Sequence, residues 1–119
     1  MNTLELVQKL NKIIVSGNNE GLSDIIADDI IFNGPLFKAS GKEEFVNGFE
    51  RWLQTKKTYA LLKQFTADSA VASFYEINVE TPAGIVTLKE ADWIEARDGK
   101  IIAIKVYFDP RELLKATGR

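Results

Sequence analysis

The stretch TLKEADWIEARDGKI, residues 87–101, carries two acids, Glu90 and Asp92, two residues apart. On a strand, positions i and i+2 share a face, and here that face also holds Leu88, Ile94 and Ala96. Two carboxyls are therefore aimed at the side of a sheet that their neighbours fill with apolar groups. A carboxyl in such surroundings is desolvated, which raises its pKa. A second acid beside it makes the two titrate as a coupled pair, with one value pushed higher. A group of that kind stays neutral at pH 7 and donates a hydrogen bond to a carbonyl or enolate oxygen, or works as a general base. For Asp92, ligand contact or catalysis stands level with a plain hydrogen bond to a backbone amide or a tyrosine hydroxyl, since burying an unused carboxylate is costly. For Glu90 the favoured position is the rim of the pocket, in water.

The chain has neither Cys nor His. That removes disulfides, thiol nucleophiles, Ser-His and Cys-His machinery and the usual zinc sites. Acid–base chemistry is left to Asp, Glu, Lys or Tyr. Metal binding by carboxylates alone has no motif behind it, and no cofactor is implied. The 119 residues, 45% hydrophobic and 27% charged, suit one domain, 1–119, that buries a core without staples. A net charge of −2 with scattered basic residues leaves no footprint for nucleic acid or an anionic membrane. The opening segment MNTLELVQKLNKIIVSGNNE is amphipathic and lacks the apolar centre of a signal peptide. No run approaches the ~20 apolar residues of a membrane span, so a cytoplasmic protein is expected.

Several elements position the acids. Asn2 or Thr3 caps a first helix, with Glu5 at capping-box spacing from Asn2 and Leu4, Val7, Leu10, Ile13 and Ile14 along one face. A short helix over Leu22 to Ala27 follows. Ile30 to Phe32 form a strand stopped by Asn33-Gly34-Pro35. A third helix opens at Ser40-Gly41-Lys42-Glu43 and presents Phe45, Phe49, Trp52 and Leu53. Strands follow over Tyr59–Ala67, Ala70–Glu80, Ile85–Arg97 and Ile101–Phe108, with turns at Ala67-Asp68-Ser69, Pro82-Ala83-Gly84 and Asp98-Gly99-Lys100. A short tail helix lies near Glu112-Leu113-Leu114. Helices followed by an antiparallel meander predict an α+β domain, a curved antiparallel sheet wrapped around N-terminal helices with an internal conical pocket.

Four segments, SGNNEGL, ADDIIFNGP, ASGKEEFVNGF and DWIEARDGKIIAIKVYFDP, run in order over nearly the whole chain. In them the sequence resembles the nuclear transport factor 2-like superfamily, near its SnoaL-like and ketosteroid isomerase branch, which implies a cystatin-like cone. The fold hosts isomerases, cyclases, dehydratases, epoxide hydrolases and non-catalytic binders. The resemblance carries over only in part. The isomerases' helical Tyr falls at Leu10 and their base Asp at Gly34, whereas their protonated Asp, kept neutral by an apolar site, falls at Asp92. The epoxide hydrolases' Asp-Arg-Asp set falls at Asp92, Glu90 and Val106, so again one of three is kept. The cyclase pattern needs a His that this chain lacks.

The site expected on these grounds has Asp92 as candidate acid, base or oxyanion donor. Glu90, Asn33, Phe45, Phe49, Trp52, Ile94 and Val106 line the pocket around it, with no metal. Tyr59 and Tyr75 are weaker candidates for a phenol in the pocket, and Asn33 is equally explained by its turn. The occupant is a small apolar organic ligand. If the protein is an enzyme, it is a cofactor-free isomerase or lyase; the alternative is a binding or dimerisation module that has lost the family's machinery. Ile85, Ala91, Trp93, Ala103 and Tyr107 fall on the opposite face, too apolar to leave in water, and the resemblance implies a homodimer there.

Overall fold

A computed structural model describes residues 1–118. Asn2 starts helix α1 (Thr3–Ser16) with a complete capping box. Its side chain accepts from the Glu5 amide at 2.9 Å, and the Glu5 carboxylate accepts from the Asn2 amide at 3.0 Å, so two otherwise free amides are satisfied reciprocally. The helix ends at Gly17, whose φ of 74° is the left-handed conformation that glycine adopts without strain. A Cβ there would also come within 3.0 Å of the Leu53 carbonyl oxygen.

Helix α2 (Leu22–Ile25) is shorter than its sequence suggests, because Ile26 and Ala27 already belong to strand β1 (Ile26–Asn33). Burial of Ile30 and Phe32 alternating with exposed Asp29 and Ile31 makes this stretch a half-buried strand. A three-residue strand that the sequence reading did not expect, β2 (Lys38–Ser40), folds back on β1. Helix α3 (Lys42–Gln54) follows, then strands β3 (Lys57–Thr66), β4 (Ala70–Thr81), β5 (Gly84–Arg97) and β6 (Lys100–Tyr107), and helix α4 (Arg111–Ala116). The β5–β6 turn has positive φ at Asp98 (54°) and Gly99 (75°), the Asp-Gly signature of a type I′ hairpin.

The six strands form one open sheet in the order β2-β1-β6-β5-β4-β3. Every pairing is antiparallel except β1 with β6, which is parallel. Register shifts between Leu61 and Lys63 and between Glu95 and Ala96 bend the long strands, as bulges do. The sheet curves around α1 and α3, and one core cluster joins Leu6, Leu10 and Ile14 of α1 to Phe45, Phe49 and Leu53 of α3 and to Val71, Ile94 and Ile104 of the sheet. The fold is thus the α+β cone expected from the element order. Among the described residues no helix is long and apolar enough to cross a membrane.

The register also defines the outer face. One row across it runs Phe65–Ala72–Trp93–Lys105, and the next runs Lys63–Phe74–Ala91–Tyr107. Phe65, Phe74, Trp93, Tyr107 and Ile85 are all exposed. Phe65 and Phe74 meet edge to face at 6.3 Å, while Lys63 and Lys105 lie over Phe65 and Trp93. Two of the five residues expected on an open outer face depart from that reading: Ala103 is already buried within the monomer and Ala91 is half-buried. Small side chains between larger neighbours are covered by them. Phe65 and Phe74, absent from the sequence reading, extend the apolar surface toward β3.

Candidate functional site

The concave face of β5 carries Leu88, Glu90, Asp92 and Ile94 in sequence, as the two-residue period requires. Register gives each a fixed neighbour: Glu90 lies opposite Tyr75, Asp92 between Ser73 and Val106, and Ile94 beside Ile104. Glu90, Asp92 and Ile94, with Ile104 and Val106 beside them, face a cavity of about 650 Å³, within the range of small-molecule sites. Leu10 and Ile14 of α1, Phe32 of β1, Phe49 and Trp52 of α3, Tyr59 of β3, and Ile104 and Val106 of β6 form its walls, with Phe108, Leu113 and Thr117 at the C-terminal end. Arg51, Gln54, Lys56, Glu80 and Pro82 border it and are exposed, which places them at the mouth.

Glu90 is 8% exposed, so the rim position favoured from the sequence is corrected. The β4–β5 register sets it against buried Tyr75, well inside the sheet. Asp92 is half-buried, but its Oδ1 is wholly buried and has no hydrogen-bond partner. Burial raises the Asp92 pKa to about 7. Burial, reinforced by the Asp92 charge, raises that of Glu90 to about 8. The two acids are coupled, so ionisation of one helps hold the proton on the other.

Two phenols flank the acids. Trp52 Nε1 donates to the Tyr59 hydroxyl at 2.9 Å, and Asn11 Nδ2 donates to the Tyr75 hydroxyl at 2.8 Å. Each donor fills an acceptor site on the phenol oxygen and leaves the hydroxyl hydrogen to be donated elsewhere. Burial, followed by the Glu90 charge, raises the Tyr59 pKa well above its ordinary value, and burial, followed by the Asp92 charge, raises that of Tyr75. Both phenols stay protonated. Trp52 is itself fixed by Lys57, whose Nζ lies 5.0 Å from the indole ring centroid and donates to the carbonyls of Trp52 (2.7 Å) and Thr55 (2.8 Å). The Trp52 carbonyl also accepts from the Thr55 amide at 3.2 Å, so Lys57 adds to the cap that ends α3. Burial lowers the Lys57 pKa to about 8.

Of the expected site residues, Asp92, Glu90, Phe49, Trp52, Ile94 and Val106 all line the cavity. Asn33 and Phe45 are not among its lining residues. Asn33 borders a separate shallow recess with Lys38 and Lys105. Phe45 is fully buried, stacked against Phe49 with ring centroids 4.9 Å apart, so it supports the wall from behind. Leu10 and Gly34, the positions to which the resemblance assigns the isomerases' Tyr and Asp, both line the cavity. A Cβ at Gly34 would meet the Phe32 ring at 3.0 Å, so a side chain there requires that ring to shift. Sequence reasoning missed the contribution of the C-terminal segment, since nothing in Leu113 or Thr117 signals that helix α4 and the residue after it line one end of a cavity.

Residues 7–104 match the SnoaL-like domain family model. No curated protein matches in sequence. Among solved structures, an NTF2-like protein of unknown function from Cytophaga hutchinsonii is 26% identical, with 96% of each chain covered and a TM-score of 0.80. A Delta 5-3-ketosteroid isomerase from Mycobacterium sp. is 17% identical over 93% of this chain and 96% of its own, with a TM-score of 0.79. A computationally designed 17-OHP binder is 17% identical over 89% of this chain and 90% of its own, with a TM-score of 0.76. The last two likenesses speak for the fold, and that one fold serves an isomerase and a designed binder shows how little it fixes about activity. With the family model covering most of its length, the chain belongs to the SnoaL-like domain family and has the NTF2-like fold.

Proposed function

We propose that the cavity binds a small, mainly apolar organic molecule and that Asp92 exchanges a proton with it, as a cofactor-free isomerase or lyase acting on an enolisable carbonyl would require. The observation that carries this reading is Asp92 Oδ1, buried beside the cavity without a partner. A pKa of about 7 keeps both protonation states populated at neutral pH, which suits general acid–base work. The test is hydrogen–deuterium exchange of a small enolisable ketone in D2O, followed by proton NMR. Wild type accelerates exchange, and Asp92→Asn lowers the rate by about a hundredfold or more. A ketone that binds without accelerated exchange rejects the catalytic half of the proposal.

A second reading, a non-catalytic binder, is favoured by Leu10 and Gly34. Both line the cavity where the isomerases carry catalytic groups, and the Phe32 ring packs against Gly34. Under either reading the exposed apolar rows of the outer face pair with a second copy of the chain, centred on Trp93, Phe74 and Tyr107.

A further inference from the structure

Two carboxyls share the interior of the cavity, and no described residue answers their charge. The ion pairs present among the described residues join Lys42 to Asp28 and Arg111 to Asp109. The groups packed around the acids are neutral. Tyr75 comes from β4 and Tyr59 from β3, with Asn11 of α1 and Trp52 of α3 turned toward these phenols. Strand β6 supplies Ile104 and Val106, and α4 supplies Leu113. The bordering cations, Arg51 and Lys56, and the acid Glu80 are exposed.

Such a pair destabilises the empty fold, because each carboxyl has lost water and, once ionised, repels the other. A neutral ligand oxygen accepts a hydrogen bond from one protonated acid and leaves the second charge unanswered. A compact cation removes both costs at once. We infer that the buried end of the occupant is a protonated amine on an apolar body, the ammonium lying between Glu90 and Asp92 with Trp52, Tyr59 and Phe49 as walls. This rests on the cavity being a ligand site and holds whether or not turnover follows. An ammonium carries three donors, enough for Asp92 Oδ1 and for Glu90, and aromatic faces favour a desolvated cation.

The inference fixes a pH signature. The carboxyls titrate at about 7 and 8, whereas an alkylamine stays protonated to about pH 10. Amine affinity therefore rises from pH 6 to 8.5, and binding near pH 7.5 releases protons from the pair.

The experiment is calorimetric titration of the whole chain with 3-phenylpropylamine and with its neutral isostere 3-phenylpropanol, at pH 6, 7.5 and 8.5. At pH 7.5 it is run in two buffers of different ionisation enthalpy to count protons. The expected result is an amine bound about tenfold or more tighter than the alcohol at pH 8.5, a shift of at least one pKa unit's worth of interaction. The preference shrinks at pH 6, protons are released at pH 7.5, and the Glu90→Gln/Asp92→Asn variant loses the preference while still binding the alcohol. Equal or tighter binding of the alcohol at pH 8.5 overturns the amine assignment and leaves the cavity reading standing. Amine binding that is unchanged in the double variant overturns the assignment too. Failure of both probes to bind overturns the assignment and the cavity reading together.

Discussion

The two faces of β5 invert the usual order of a sheet in opposite directions. The concave face hides Glu90 and Asp92 where apolar side chains are expected, and the convex face leaves Trp93 and Ile85 in water where polar ones are expected. A lone exposed apolar residue means little, but Phe65, Phe74, Trp93 and Tyr107 lie on adjoining rows over four strands, and contiguous apolar surface marks an interaction site. The concave face shows the opposite departure, with two acids among apolar side chains and one carboxyl oxygen, Asp92 Oδ1, buried without a partner. One strand thus presents a face with two largely buried acids and an exposed apolar face a single residue out of phase. The contrast teaches that the informative positions are those where burial and polarity disagree.

The largest effect expected from this contrast is a pH dependence of stability that belongs to the concave face alone. Glu90 and Asp92 have folded-state pKa values of about 8 and 7, above their ordinary 4.5 and 3.8. Between those limits the folded state holds more protons than the unfolded one, so stability falls as pH rises. The contribution is fully present below about pH 4 and is lost as the pH rises through 7 and 8. The two groups are coupled, so their losses do not add, and the combined effect is on the order of a few kcal/mol. Urea denaturation from pH 5 to 9 measures it. Glu90→Gln/Asp92→Asn is expected to remove this fall, leaving above pH 8 only the opposite rise from Lys57, whose folded-state value of about 8 lies below its ordinary 10.5, and to exceed wild type in stability at pH 9. A flat wild-type profile would mean that water reaches both carboxyls and that the two faces differ less than the geometry implies.

The face assignment itself was legible in the sequence, because alternation places Glu90 and Asp92 with Leu88 and Ile94 whatever the details of the fold. Depth along the strand was not. Alternation gives a direction but not a position relative to the mouth, and the pairing of Glu90 with Tyr75 depends on the β4–β5 register. Phe45 shows the same limit on a helix. Its spacing puts it on the face of Phe49 and Trp52, but only packing decides that Phe45 lies behind Phe49 while the other two reach the cavity. The helices, long strands and turns were readable from period and punctuation. Strand β2 was not, because three residues carry no period, and its strand form comes from pairing with β1. Phe65 and Phe74 escaped notice because their shared face follows only from the shift between Leu61 and Lys63.

A second prediction breaks the contrast from the other side. Trp93→Glu puts a charge at the centre of the convex face, where a second copy must exclude water. If the rows form a homodimer, light scattering coupled to size exclusion gives twice the chain mass for wild type and the monomer mass for the variant. A weakening of about a hundredfold or more is expected, the scale of losing a central aromatic anchor. The concave face is not touched, so the pH profile of monomer stability is expected to persist. A wild type that is monomeric at millimolar concentration would reject the dimer and leave the apolar rows without an occupant.

The smallest effect sharpens the concave face, where the phenols must be aimed as well as buried. Trp52 Nε1 is the donor seen at the Tyr59 hydroxyl, and Lys57 clamps the indole that carries it. Trp52→Phe removes the donor while keeping an aromatic ring, and Tyr59→Phe removes the acceptor. Each is expected to cost about 1 kcal/mol, the net worth of one hydrogen bond, with some added loss of packing in the first. The informative quantity is the coupling from a double-mutant cycle, which cancels packing losses private to each residue. A coupling of about 1 kcal/mol means that the indole holds the phenol in place, so that its hydrogen is directed by the fold. A coupling near zero means that water replaces the indole at little cost and Tyr59 is free to turn. In that case the acids remain buried, but Tyr59 no longer offers the cavity a donor of fixed direction.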